Sequence, residues 1–269
     1  IKTKNKPPRL GAVCAASARA LSLRSPGTWA PQHPDDTVIA VVGSSVAQGE
    51  GAEGYRGWSF WLRKALRERY GYALVCDCVG GTNVSDLSAR IGRLGTVAPR
   101  ATIVSFSLGN ELLAWSGDEV IDEHPVEEWP WLAAGFREAI VRAVHRIRAL
   151  PVVPILASVY PSWREELVVH LRETNAWMAQ YAADEGIPLI DFWTPLDDGH
   201  GHLRPEFHSP LDFEEGGPGR AVHPNSEGHL AMFNAIDLDI FSPKALAALE
   251  AAPKAAPQAP PHDRASLAP

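Results

Sequence analysis

The chain has 269 residues, 45% of them hydrophobic, and a formal net charge of −7, which is enough apolar material for one sizeable core between two biased ends. With a pI of about 5.8 and no basic stripe, it would repel a phosphate backbone, so nucleic acid is not an expected partner. No apolar run approaches the roughly 18 to 20 residues of a membrane span, and a protein without a transmembrane segment, hence soluble, is expected.

Residues 1–34 are basic and contain no Asp or Glu before Asp35. Such a start is like the remains of an organelle transit peptide or a disordered leader, and it lacks the apolar core of a secretory signal. The compartment, organellar or cytoplasmic, stays open on this evidence.

The first β-rich run, "TVIAVV" at 37–42, ends at Gly43, Ser44 and Ser45. Apolar residues at helical spacing follow over 58–70, and a second strand over 73–79 ends at Gly80, Gly81, Thr82 and Asn83. Cys76 and Cys78 lie two apart in that strand, side by side on one face. That spacing is poor for a disulfide, and no zinc CxxC pattern is completed, so these two thiols and Cys14 read as reduced and structural. A helix over 85–94 leads to a third strand, 101–108, ending at Gly109, Asn110 and Glu111. A helix over 129–150, a strand over 151–159, a helix over 164–184 and a strand over 187–192 come next. The last helix, 225–240, is preceded by "AVHPNSEGH" with His223. Beyond 243 an alanine and leucine pattern passes into Pro and Ala repeats that bury too little to order themselves, a tail or linker to a fusion partner.

Strands separated by amphipathic helices require crossover connections, so a mostly parallel five-stranded sheet covered on both faces is expected. Ligands bind such sheets beyond the carboxyl ends of the strands. There the chain supplies a serine, a glycine, an asparagine and a histidine. A hydroxyl to attack, an imidazole to take its proton and N–H donors to hold an oxyanion are the parts of acyl transfer.

Four blocks carry a resemblance: "VVGSSVAQGEG", "VGGTNVSDL", "SLGNELL" and "VHPNSEGH", in order from residue 38 to about 241. Together they resemble the SGNH, or GDSL-type, hydrolases, with Ser44 in place of the usual Asp; the lysophospholipase-like and arylesterase-like esterases are the nearer members. The resemblance implies a flavodoxin-like three-layer α/β/α sandwich over 35–242, and ester or thioester hydrolysis of a small-molecule substrate without a cofactor or metal. It implies Ser45 as nucleophile, His223 as general base, and an oxyanion hole from the Ser45 backbone amide, the Asn110 side chain and the amide of Gly80 or the adjacent Gly81, with the family's Gly-x-Thr run favouring Gly80. Glu111 stands where the family often has Asp and reads as structural.

One position departs from the pattern. The family's acid precedes the histidine by three residues, where this chain has Arg220. A cation there cannot accept the imidazole N–H and would lower the histidine pKa. Three readings are open. Asp212, Glu214 or Glu215 folds back to serve as acid, with Asp212 the first choice; a backbone carbonyl orients His223; or the fold binds without catalysing. Acyl transfer to an alcohol or sugar is the rival enzymatic reading.

Two other constellations are weaker. "GEGAEG" at 49–54 spells GxGxxG but lies past the strand end, and Glu50 and Glu53 would repel a pyrophosphate. His200, His202 and His208 with Asp197 and Asp198 lie in a polar loop without the frame a metal site needs. Of nine tryptophans, Trp115, Trp129, Trp131 and Trp163 are candidates for an aromatic subsite, and Trp61 and Trp177 for core packing.

Overall fold

The computed structural model describes residues 37–113, 115–116, 119–120, 124–209 and 223–252. The expectations for residues 1–34, for Asp212, Glu214, Glu215 and Arg220, and for the end of the tail lie outside the described residues.

Strands β1 (Val38–Gly43), β2 (Ala73–Cys78) and β3 (Ala101–Ser105) come first, followed by a two-stranded hairpin, β4 (Trp115–Ser116) with β5 (Glu119–Val120), then β6 (Val153–Ala157) and β7 (Leu189–Ile190). The main sheet has the order β2-β1-β3-β6-β7, and every pair in it is parallel. The chain winds outwards from β1 to β2, then returns past β1 to β3 and continues the other way. The winding therefore reverses between β1 and β3, and a crevice opens there at the carboxyl ends of the strands.

The helices are α1 (Ser45–Gln48), α2 (Trp58–Tyr70), α3 (Leu87–Val97), α4 (Leu108–Leu112), α5 (Trp129–Arg148), α6 (Val168–Glu185), α7 (Ser226–Asn234) and α8 (Pro243–Ala251). Successive strand residues point to opposite faces, so near-continuous Val and Ile runs serve two cores. Ile39, Val41, Ile103 and Ile155 pack against Trp58, Leu62, Met232 and Leu246 of α2, α7 and α8. Ala40, Val42, Val104 and Leu156 pack against Ile91, Phe136, Ile140 and Leu171 of α3, α5 and α6. The result is the expected α/β/α sandwich on a parallel five-stranded sheet.

Three expectations are corrected. Cys76 and Cys78 are not reduced thiols but a disulfide, with Cα atoms 5.3 Å apart, inside the usual 4.4–6.8 Å window although two strand steps normally span about 6.6 Å. The last helix does not run to 240. It ends at Asn234, and a separate 3₁₀ turn follows over Leu238–Phe241, where Asp237 accepts a hydrogen bond from Asp239 N at 2.9 Å; a short acidic side chain that captures local amides starts a new turn rather than prolonging a helix. The ordered chain also continues past 242, because α8 buries Leu246 completely and Ser242 caps it by accepting from Ala245 N at 3.2 Å.

Arg90 on α3 ties the sheet together beneath the crevice. It is buried, donates to Gly43 O at 2.7 Å and Asp77 O at 3.2 Å, and lies over the Phe106 ring at 5.8 Å. Burial lowers its pKa, while Asp77 and Asp86 oppose that shift. Arg90→Ala removes a donor from two strand-end carbonyls and opens a cavity beside Phe106, so unfolding free energy should fall by about 3 kcal/mol, read from urea denaturation.

Candidate active site

β1 delivers Ser45 to the crevice through a close approach. A Cβ on Gly43 would come within 2.5 Å of both Ala47 Cβ and Ser105 O, so glycine is what lets α1 fold back over the end of β3. Ser44 stands at the N-cap position of α1 without a side-chain cap bond and donates its N–H to Ser105 O at 3.2 Å, which places Ser45 at the first helical position. An amide at a helix start has no intrahelical acceptor, and the Ser45 N–H is one of these. The Ser45 side chain is buried at 3% exposure.

His223 reaches this serine from the other end of the chain, Nε2 to Ser45 Oγ at 2.9 Å, and is itself 7% exposed. Local chemistry around "HPNSEGH" fixes the imidazole. Asn225 caps α7, its Oδ1 accepting from Glu227 N and Gly228 N at 3.0 Å, while its Nδ2 donates to Glu206 O at 2.8 Å and His208 O at 3.1 Å. Gly51, at φ +89°, presses directly on the histidine, and a Cβ there would lie 2.8 Å from His223 Cβ. A positive φ in close contact admits glycine alone.

Asn110 stands on α4 at the end of β3, buried, with Nδ2 donating to Thr82 O at 2.8 Å. Beside it Glu111 Oε1 accepts from Val84 N at 2.7 Å. Burial raises the Glu111 pKa to about 7, with the Val84 bond opposing and Asp86 adding to the shift. These two neighbours bind the loop after β2 to α4 at two points. Glu111 is thus a structural tie, as the sequence suggests. Gly80, in that same loop, is close to Ser45: a Cβ built on it would lie 3.8 Å from Ser45 Cβ. Its N–H donates to Gln48 Oε1 at 2.9 Å. Gly81 is the member of the pair at positive φ, +69°.

Ser45, His223 and Gly80 therefore lie together, Asn110 stands at the same sheet edge past the end of β3, tied to the loop that carries Gly80, and Asp212 falls outside the described residues. Two contributors went unassigned in the sequence, Gln48 and His229. Both lie inside quoted blocks, at the end of "GSSVAQ" and of "NSEGH", but a partner 171 positions away has no local signature. His229 Nδ1 accepts from Trp58 N at 3.3 Å and its Nε2 donates to Glu50 O at 2.8 Å. It joins α7, α2 and the loop that follows α1.

Burial holds the His229 pKa down to about 4; the Glu50 bond opposes this and His223 adds to it. The unfolded chain takes up a proton near pH 6.5 and the folded one does not until about pH 4. This contribution is complete above pH 6.5 and is lost as pH falls towards 4, by about 2 to 3 kcal/mol. Unfolding free energies at pH 7.5 and 4.5 should differ by that much more in the wild type than in His229→Gln, whose side chain keeps a donor and an acceptor but does not titrate.

The polar-loop histidines are otherwise engaged. His202 Nε2 meets Glu165 Oε2 at 2.7 Å and His208 Nε2 meets Leu203 O at 3.1 Å. No cluster of three metal-ligating side chains occurs among the described residues. Trp129 is buried and donates from Nε1 to His124 O at 2.9 Å, so it packs in the core; Trp131 is exposed. Trp177 stacks on Tyr181 as a packing residue. No helix among the described residues is long and apolar enough to cross a membrane.

The fold is an α/β/α sandwich that brings Ser45, His223 and Gly80 together at the switch point of a parallel sheet. Residues 41–231 match the GDSL-like Lipase/Acylhydrolase family, and the chain belongs to that family of ester-hydrolysing enzymes. Its fold is similar to that of a GDSL-like lipase from Bacteroides thetaiotaomicron (TM-score 0.51, 16% identity, 84% of this chain and 95% of that one). It is similar to a member of the lipolytic G-D-S-L family from Veillonella parvula (TM-score 0.52, 16% identity, 76% of this chain and 98% of that one). A third similar fold is Axe2, an acetylxylan esterase from Geobacillus stearothermophilus solved as a catalytic mutant (TM-score 0.52, 16% identity, 74% of this chain and 91% of that one). No curated protein matches the chain by sequence.

Proposed function

We propose that the chain hydrolyses carboxylic esters in two steps through an acyl-enzyme on Ser45, without a cofactor. The observation that supports this reading best is the 2.9 Å contact between Ser45 Oγ and His223 Nε2, within the reach a general base needs. His223 takes the Ser45 proton as Oγ attacks the ester carbonyl carbon. The carbonyl π electrons move to the oxygen, which accepts from the N–H groups of Ser45 and Gly80 and from Asn110 Nδ2. Collapse of this intermediate expels the alkoxide, which leaves with the proton held on His223. Water then attacks the acyl carbon, His223 again accepts a proton, and the carboxylic acid departs as Ser45 recovers its own. Asp212 is the carboxylate proposed to take the His223 Nδ1 proton as a hydrogen bond, in place of the residue at 220.

The test is incubation with a fluorophosphonate probe, read by intact mass, alongside turnover of p-nitrophenyl acetate. One adduct mapped to Ser45 together with turnover is the expected result. A folded protein showing neither would leave a binding domain on a hydrolase scaffold. An adduct with acyl transfer to an added alcohol outpacing hydrolysis would make the enzyme a transferase.

A further inference from the structure

The loop after β2 does not present its amide to an empty hole. The only hydrogen on Gly80 N points at Gln48 Oε1, 2.9 Å away. The orientation of the carboxamide follows from chemistry, since its NH₂ group has no lone pair to offer an amide N–H. Gln48 ends α1, three residues beyond Ser45, which sets both side chains on the same side of that single turn. A Cβ on Gly80 would lie 3.5 Å from Gln48 Oε1 and 3.8 Å from Ser45 Cβ. The glutamine oxygen and Ser45 thus border the same glycine. Asn110 differs, because its Nδ2 carries two hydrogens and the bond to Thr82 O uses one. Of the proposed donors, Gly80 is the one fully committed elsewhere in the free protein.

We propose that Gln48 is an internal plug of the oxyanion hole: its side-chain oxygen holds the Gly80 N–H in the free enzyme, and an ester carbonyl gains that donor only by displacing it. This inference rests on the ester mechanism proposed above. The plug is a gate rather than a subsite. Opening it precedes any contact with substrate, so the fraction of open enzyme multiplies kcat/KM equally for every ester. Glu50 flanks the same glycine, with Oε2 2.9 Å from where a Gly80 Cβ would lie, and its carboxylate disfavours negative charge on an unshielded hole.

Two substitutions move the gate in opposite directions. Gln48→Met keeps the length and removes the acceptor, and kcat/KM for p-nitrophenyl acetate and p-nitrophenyl butyrate should rise by the same factor, about three- to tenfold. Gln48→Glu supplies a charge-assisted acceptor, roughly twice as strong as a neutral one, and should lower kcat/KM for both by about tenfold or more. A structural role for Gln48 predicts losses in both variants, and a subsite role predicts factors that differ between acetate and butyrate. Either result overturns the plug.

The contact has a second readout that needs no turnover. The Gly80 amide should be protected from hydrogen exchange in the free wild type and exchange faster in Gln48→Met. If that holds while Ser45 neither labels nor turns over, the ester mechanism falls and the plugged amide stands. If wild-type turnover is normal but Gln48→Met leaves both Gly80 exchange and kcat/KM unchanged, the plug falls and the mechanism stands.

Discussion

Ser45→Ala should lower kcat for p-nitrophenyl acetate by about six orders of magnitude and abolish the fluorophosphonate adduct. The size follows from the chemistry. Without Oγ there is no covalent intermediate, and water bound to His223 must attack directly from a position the site does not hold. His223→Ala should be nearly as damaging, because a serine hydroxyl near neutral pH is a poor nucleophile until its proton has an acceptor 2.9 Å away. The double variant should lose no more than either single one, since the two side chains act as a unit. Additive losses in stopped-flow and steady-state kinetics would mean that Ser45 and His223 contribute separately, which the mechanism does not allow. Both side chains are buried, so thermal melts of each variant separate the kinetic loss from unfolding.

Asp212→Asn should reduce kcat by about 10⁴-fold, with Glu214→Gln and Glu215→Gln within a few-fold of wild type. When His223 accepts the serine proton it becomes a cation in a buried place, and a carboxylate on its Nδ1 side stabilises that charge and selects the tautomer with Nε2 free. Asparagine keeps the shape but not the charge, so the fold is retained while the transition state loses its counterion. The need is acute here because Arg220 occupies the position from which the family ordinarily supplies the acid. A carboxylate from elsewhere in the chain then has to supply the counterion that arginine cannot. Steady-state kinetics with intact-mass labelling checks this. An Asp212→Asn enzyme with unchanged kcat would transfer the role to Glu214, Glu215 or a backbone carbonyl, and the Gln variants separate those choices.

The two sets of predictions divide the site as its geometry does. Large kinetic effects are expected at Ser45, His223 and Asp212 because the proposed mechanism gives each of them the proton or the bond to handle. Arg90, His229 and Gln48 carry moderate ones because they set the frame, its acid resistance and the state of the oxyanion hole before substrate arrives.

The five strands and their parallel pairing were legible because near-continuous Val and Ile runs such as "VIAVV" make sense only when both faces are buried, and the helical periods between them demand crossovers. The same local logic placed Ser45, Gly80, Asn110 and His223 just past strand ends, where a parallel sheet binds ligands. Element boundaries within the C-terminal quarter were less legible. The stop at Asn234 depends on Asp237 capturing an amide, and the ordering of α8 on Leu246 finding a pocket against α2 and β6; neither competes visibly in a linear pattern. The disulfide between Cys76 and Cys78 was misread because ideal strand spacing holds such thiols apart, and the actual contraction of β2 is not a property of the residues themselves.

The α/β/α layering and the chemical types at the site are readable in the chain because hydrophobic period and side-chain chemistry are local properties, and four short blocks carry the family. Which groups face one another emerges only on folding: His229 clasps Trp58 and Glu50, Arg90 braces the ends of β1 and β2, and Gln48 closes on Gly80. Such contacts span from 13 to 179 positions, and distances of that kind are set by how two layers pack on a twisted sheet rather than by any residue's own preference.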